Sequence, residues 1–229
     1  MCAAVYNAKD AAALMWESYL KYHDRPQLFV WDNASTDGVS DYFAPIADYY
    51  YRSPENIQHG MALDNLCKMV TTKYTVIADT DIEFHQAVVP YMLEQEAAMV
   101  GQYHKEGGPW EHNGKVYRKQ PRIDTFFALF ETEVLQEVLR HITFSPYFTS
   151  SLGTAYDAAG MVAVAFYLLK AKVSFVSLDG YVTHYGSIAS AVFETTVNQG
   201  QKEAKQAVYE HIGERLTALR GETKEVKLL

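Results

Sequence analysis

Apolar runs and stretches with helical spacing take turns along this chain. Met1 to Tyr6 predicts a short strand, and Ala8 to Tyr22, with Leu14, Trp16 and Leu20, predicts an amphipathic helix. Gln27 to Trp31 is the next strand, followed by a short helix to Phe43 that Asp37 is placed to cap. Asp48 to Tyr51 reads as a third strand, and Met61 to Val70 as a helix with Leu63, Leu66 and Val70 on one face. Tyr74 to Asp79 is a buried, β-branched strand, then come a helix from Gln86 to Glu96 and a strand from Ala98 to Tyr103. Such alternation predicts a parallel, doubly wound sheet flanked by helices.

The second half is less regular. Glu106 to Gln120 reads as a long loop or a hairpin turning at Asn113-Gly114, with Trp110 placed either to stack on a ligand or to anchor the loop. Asp124 to Glu131 predicts a strand, Thr132 to His141 a helix, and Ser145 to Thr154 a polar, aromatic loop. Tyr156-Asp157 precedes an apolar helix from Ala158 to Lys170, and Val173 to Leu178 is the last clear strand. Towards the C-terminus, Ala204, Val208, Ile212, Leu216 and Leu219 form a stripe at helical spacing, which predicts a surface helix between about Thr195 and Arg220.

Candidate chemistry gathers where strands end. Asp79 and Asp81 close the Tyr74–Asp79 strand one residue apart, so both project to one side of an extended chain, with Thr80 turned away. Two hard anionic oxygens suit Mg²⁺ or Mn²⁺ holding a diphosphate. Solvated turn acids are the commoner use of such a triplet. Asn7 and Asp32, however, also stand at predicted strand C-termini, where ligands bind on doubly wound sheets. Together the three positions predict one site.

Composition narrows the partners. The chain has 229 residues and a net charge of −8, which argues against a general nucleic-acid or anionic-membrane surface. The two cysteines, Cys2 and Cys67, are too few for a disulfide framework or a cysteine zinc site, and no signal peptide is visible, so a reducing, cytoplasmic setting is expected. The longest apolar run, Ala158 to Leu169, is too short to span a bilayer. Oligomeric state is left open.

The pattern resembles the family-2 glycosyltransferases of GT-A fold. The matching pieces are Val5-Tyr6-Asn7, Val30-Trp31-Asp32-Asn33-Ala34-Ser35-Thr36-Asp37-Gly38, Asn56 with Gly60 and Asn65, Ala78-Asp79-Thr80-Asp81, Tyr156-Asp157 and His184-Tyr185-Gly186-Ser187. The resemblance implies a Rossmann-like, mixed but mostly parallel sheet over residues 1–190, with a nucleotide-binding half (1–103), an acceptor-binding half (104–190) and a helical extension (191–229). It implies that Asp32 meets the donor's base, Asn7 and Asn56 line the nucleotide-sugar pocket, and Asp79 lies against ribose and metal. Asp81 would hold Mn²⁺ or Mg²⁺, and His184 would be a further ligand or a diphosphate contact. Asp157 matches the general base of inverting members, while Trp110 and Tyr156 fall on the acceptor side. Asp37 matches a structural position in the turn.

Departures qualify what is implied. The Gln-x-x-Arg-Trp signature of processive synthases is absent, so a single transfer to a glycan or other hydroxyl acceptor is expected. Tyr156 stands where the family often has an acid, and residues 56–65 hold no arginine for base or phosphate, with His59 as the substitute. Two other readings compete. A sugar nucleotidyltransferase would open with a glycine-rich basic loop, which Asn7-Ala8-Lys9-Asp10 does not provide. A binding module that kept the fold and lost the chemistry would bind nucleotide without releasing sugar.

Overall fold

The structure is a computed structural model that describes residues 1–104, 109–112, 114–119, 122–149, 153–156, 160–186, 188 and 199–226. Its elements run β1 (Cys2–Val5), α1 (Lys9–Tyr22), β2 (Phe29–Asp32), α2 (Val39–Phe43), β3 (Tyr49–Arg52), α3 (His59–Cys67), β4 (Tyr74–Ala78) and β5 (Ile82–Phe84). There follow α4 (Val89–Leu93), β6 (Met99–His104), β7 (Pro109–His112), β8 (Lys115–Lys119), β9 (Arg122–Glu131) and α5 (Thr132–Val138). The chain closes with β10 (Tyr147–Thr149), β11 (Thr154–Tyr156), α6 (Gly160–Leu168), β12 (Val173–Phe175), β13 (Val182–His184) and α7 (Gln199–Val226).

The main sheet has the order β12-β6-β9-β4-β1-β2-β3. Pairs β12–β6, β4–β1 and β2–β3 are parallel, whereas β9 runs against both β4 and β6. This is the mixed, mostly parallel sheet the sequence predicted. Strand β4 is buried along four of its five residues, as expected for a strand covered on both faces.

The chain divides into two compact units. The first comprises residues 1–3, 57–78 and 88–178. Phe130 packs on Phe144 and Phe166 in its core, with ring centroids 6.2 and 5.8 Å apart. Within this unit, Gly60 and Asp64 stand one turn apart on α3 and seat the 143–145 backbone against the helix. Asp64 takes the Phe144 N–H at 2.9 Å and the Thr143 hydroxyl. Burial pushes the Asp64 carboxyl pKa up despite those two donors. A Cβ on Gly60 would lie 2.7 Å from the Phe144 carbonyl carbon and the Ser145 nitrogen, both backbone atoms that cannot simply rotate aside. Gly60→Ala is therefore expected to destabilise the fold by about 1–3 kcal/mol through overpacking. Asp64→Ala should cost about 1–3 kcal/mol by orphaning the Phe144 N–H. Urea unfolding checks both; a midpoint unchanged in either variant would contradict this packing.

The second unit comprises residues 4–56, 79–87 and 179–229. Here α1 and α7 share an apolar seam in which Ala11 and Leu14 meet Ile212, Leu216 and Leu219. The predicted stripe on the C-terminal helix is thus buried at its last three positions, whereas Ala204 is exposed. Arg220 adds a bidentate pair to Glu17, at 2.7 and 3.0 Å.

Several predicted elements differ. The Gln86–Glu96 helix shrinks to α4: Pro90 limits where it starts, and Glu96, at φ +46°, lies in left-handed backbone that cannot continue it. The Ser145–Thr154 loop contains β10 and the start of β11, which pair with each other. Strand β5 was not predicted: it has three residues, and its partner β13 lies far along the chain. Of the two readings of Glu106–Gln120, a long loop or a hairpin, the described residues form the hairpin, β7–β8, with Gly114 at φ +70° in its turn. Asp37 accepts the Val39 N–H at 3.2 Å, yet Gly38, at φ +81°, occupies the cap position itself. Among the described residues, no helix is long and apolar enough to cross a membrane.

Candidate active site

The site is built in the second unit, from two turns and one ribbon. The first turn follows β2. Asp32 is fully buried; its Oδ1 accepts the Ser35 N–H at 2.8 Å, and its Oδ2 accepts the Tyr50 hydroxyl at 2.7 Å. The Arg52 guanidinium stands 3.7 Å from the same Oδ2 and donates to the Ser35 carbonyl at 2.7 Å. Burial, and then the hydrogen bond to Asp32, push the Tyr50 pKa up, so its hydroxyl keeps its proton.

This turn is latched to the end of β1. The Asn7 N–H donates to Ser35 Oγ at 2.8 Å, and Asn7 Oδ1 accepts the Thr36 N–H at 2.8 Å. Asp37 Oδ2 takes the Lys9 N–H at 2.6 Å, which is the structural role expected of it. Asn7 and Ala8 both adopt left-handed backbone, at φ +52° and +56°. For alanine that conformation costs about 1–2 kcal/mol, and the latch holds it there. Strain of this kind, kept at the carboxyl end of a central strand, is a mark of functional turns.

The ribbon brings in the acids. β5 and β13 pair antiparallel with His184 opposite Ile82, Thr183 opposite Glu83 and Val182 opposite Phe84. The ribbon rests on α1, where Ser18 Oγ accepts the Phe84 N–H at 3.0 Å. This register delivers His184 to the Asp79-Thr80-Asp81 turn: one ligand atom from each of Asp79, Asp81 and His184 lies within 4.8 Å of the others. His184 Nε2 is 3.4 Å from Asp81 Oδ1, while Asp81 Oδ2 accepts the Ile188 N–H at 3.0 Å. Burial pushes the Asp81 pKa up, but His184 and the Ile188 N–H outweigh it, so the net direction is down and the carboxylate stays ionised. Two anionic oxygens and an imidazole nitrogen suit a divalent cation of the Mn²⁺ type.

The remaining predicted residues fall elsewhere. Asn56 lies in the exposed loop after β3, in the same unit. Trp110 belongs to β7, in register with Tyr117 of β8, and Tyr156 ends β11, in register with Tyr147. Asp157 and Ser187 lie outside the described residues. Sequence reasoning missed Tyr50 and Arg52, the side chains around Asp32. The absence of arginine from residues 56–65 pointed away from the strand that supplies one.

A nucleotide-binding type of sheet, a strained turn at its carboxyl edge and an acid–acid–histidine cluster define a GT-A-type glycosyltransferase fold. Residues 2–154 match the profile described as Glycosyl transferase family 2, and the chain belongs to that family. Among solved structures, it resembles the mannosyltransferase PcManGT from Pyrobaculum calidifontis in complex with GDP-Man and Mn²⁺. That match has 14% identity and a TM-score of 0.54, and covers 98% of this chain and 74% of the other. It also resembles TarS 1-349 of S. aureus in complex with UDP, with 16% identity, a TM-score of 0.53 and coverage of 91% and 69%. A chain assigned as a glucose-1-phosphate thymidylyltransferase from Bacillus anthracis is similar too, with 11% identity, a TM-score of 0.52 and coverage of 91% and 94%. At these identities the likenesses establish the fold. Among curated proteins none matches the chain.

Proposed function

We propose that the protein is a metal-dependent, inverting glycosyltransferase that moves a single sugar from a nucleotide-diphospho-sugar to a hydroxyl acceptor. The observation that carries this reading is the convergence of Asp79, Asp81 and His184 at the end of β4. These three would hold Mn²⁺ or Mg²⁺, whose chemistry is to neutralise the departing diphosphate. Mn²⁺ in the PcManGT complex, on the same fold, supports the choice.

In this reading Asp32 and the Asn7–Ala8 backbone receive the nucleoside, Asn56 borders it, and Asp79 reaches both ribose and metal. A carboxylate accepts the imide N–H of uracil or thymine, whereas the matching ring nitrogen of cytosine is itself an acceptor. UDP-sugars are therefore favoured, and dTDP-sugars come next. Asp32 Oδ2 is held by the Tyr50 hydroxyl, so the base reaches that oxygen by displacing the hydroxyl. Asp157 takes the acceptor's hydroxyl proton as that oxygen bonds to the anomeric carbon and the bond to the diphosphate breaks. Trp110 and Tyr156 contact the acceptor.

The thymidylyltransferase likeness keeps nucleotidyl transfer in view as a second reading. Incubation with UDP-sugars, Mn²⁺ and a panel of hydroxyl acceptors separates the two. The expected result is UDP released one-to-one with a glycoside of inverted anomeric configuration, read by proton NMR. Pyrophosphate release from a nucleoside triphosphate and a sugar phosphate would overturn it, and so would saturable binding with no sugar released.

A further inference from the structure

We infer that the C-terminal helix α7 belongs to the metal site, with Arg215 and Lys205 as positioning residues that hold the His184 segment in register with Asp81. The inference rests on the metal-dependent reading above and extends it to residues that neither the motifs nor the family match includes.

Two-stranded ribbons are marginal on their own, and the β5–β13 ribbon has three paired positions. His184 is the last of them, so its place beside Asp81 depends on what fastens the chain just beyond. The Tyr185 N–H donates to the Asp81 carbonyl at 2.9 Å, and the Tyr185 hydroxyl donates to Glu83 Oε2 at 2.6 Å. Lys205 Nζ then crosses from α7, donating to the Tyr185 carbonyl at 3.0 Å and to the Gly186 carbonyl. Gly186 sits at φ +74°, so this is a turn that its neighbours must hold.

Arg215 completes the arrangement from the same helix. Its Nη2 is 2.7 Å from Glu83 Oε1, and its Nε lies 3.2 and 3.3 Å from the two carboxylate oxygens. Glu83 is only 3% exposed and stands opposite Thr183, one register step past His184 and two residues past the ligand Asp81. One carboxylate thus accepts from both Arg215 and the Tyr185 hydroxyl.

Docking of α7 does not need these polar contacts, because Ile212, Leu216 and Leu219 already pack against α1. An ion pair with its carboxylate buried and its guanidinium half exposed is in any case a weak source of stability and a better means of fixing geometry. Both polar side chains reach the residues that flank the metal ligands. Outer contacts of this kind typically set metal affinity by 10–100-fold.

The test is Mn²⁺ affinity of the full chain without nucleotide, from the electron paramagnetic resonance signal of free Mn²⁺, alongside melting temperature. Arg215→Met and Lys205→Met are expected to weaken Mn²⁺ binding about tenfold or more while remaining folded at the assay temperature, and Arg215→Lys should recover part of the loss. Leu219→Ala, in the apolar seam, is the control: it should lower the melting temperature and leave Mn²⁺ affinity near wild type. If Arg215→Met does not fold, Lys205→Met decides, since it leaves the Glu83 pair intact. Unchanged Mn²⁺ affinity in both polar variants, with binding abolished in Asp81→Asn, overturns this inference alone. An equal loss in Leu219→Ala overturns it as well, by reducing the effect to general loosening. A wild-type chain that binds no Mn²⁺ overturns both the inference and the metal reading beneath it.

Discussion

Asp81→Asn is expected to abolish metal-assisted nucleotide binding while the fold stands. The change removes one anionic oxygen from the Asp79–Asp81–His184 cluster, yet the amide oxygen can still accept the Ile188 N–H that Asp81 Oδ2 now takes at 3.0 Å. Losing even an outer-shell contact to a metal ligand costs about 10–100-fold in affinity, so losing a ligand should reach or pass the top of that range. Asp79→Asn should weaken binding through the ribose as well as the metal. Calorimetric titration of UDP, with and without Mn²⁺, checks both variants. Binding that is indifferent to Mn²⁺ and unchanged in either mutant would remove the metal assignment.

The second large effect is assigned to Asp157. An inverting transfer needs a carboxylate to take the acceptor's proton, and Asp157→Asn keeps the side chain's size while removing the base. Donor and metal binding should persist, the melting temperature should stay near wild type, and the transfer rate should fall by roughly two orders of magnitude or more. An Asp157 with no part in the proton transfer would leave an active mutant. In that event the role would pass to another acid, such as Glu131 or Asp124. Asp124 Oδ2 stands 3.0 Å from His104 Nδ1, with Arg122 3.6 Å from its other oxygen.

What could be read in advance follows the range of the forces involved. The strands β1 to β4 and their helices were legible because each carries its own period and its own turn residues. Asp32 to Gly38 was legible as a turn, and Asp79 and Asp81 as its counterpart after β4, because strand ends are local features. The ribbon was not. Ile82 to Phe84 is three residues long, and what makes it a strand is His184 and its neighbours, which reach it only through tertiary pairing. The same holds for Glu83. Nothing local singles it out in the sequence, but in the fold it is buried and held by Arg215, 132 residues away. Tyr50 and Arg52 were hidden for a related reason: Tyr50 read as an ordinary strand residue and Arg52 fell just past the predicted strand, until the parallel register placed Arg52 opposite Asp32. The C-terminal stripe announced a helix and its apolar face; Lys205 and Arg215 stand on that same face, at spacings of three or four residues from Val208, Ile212 and Leu219, but as charged residues they added nothing to the apolar signal.

The central claim is tested most directly by binding UDP, dTDP, CDP and GDP to the wild-type chain with and without Mn²⁺, read as shifts in melting temperature at increasing nucleotide concentration. Stabilisation grows with ligand concentration over Kd, so the preferred base and its need for metal appear in one experiment. The largest shift is expected for UDP with Mn²⁺, a smaller one for dTDP, little for CDP, and a collapse of all of them when the metal is chelated. Equal shifts with and without Mn²⁺, or tighter binding of CDP than of UDP, would contradict the claim.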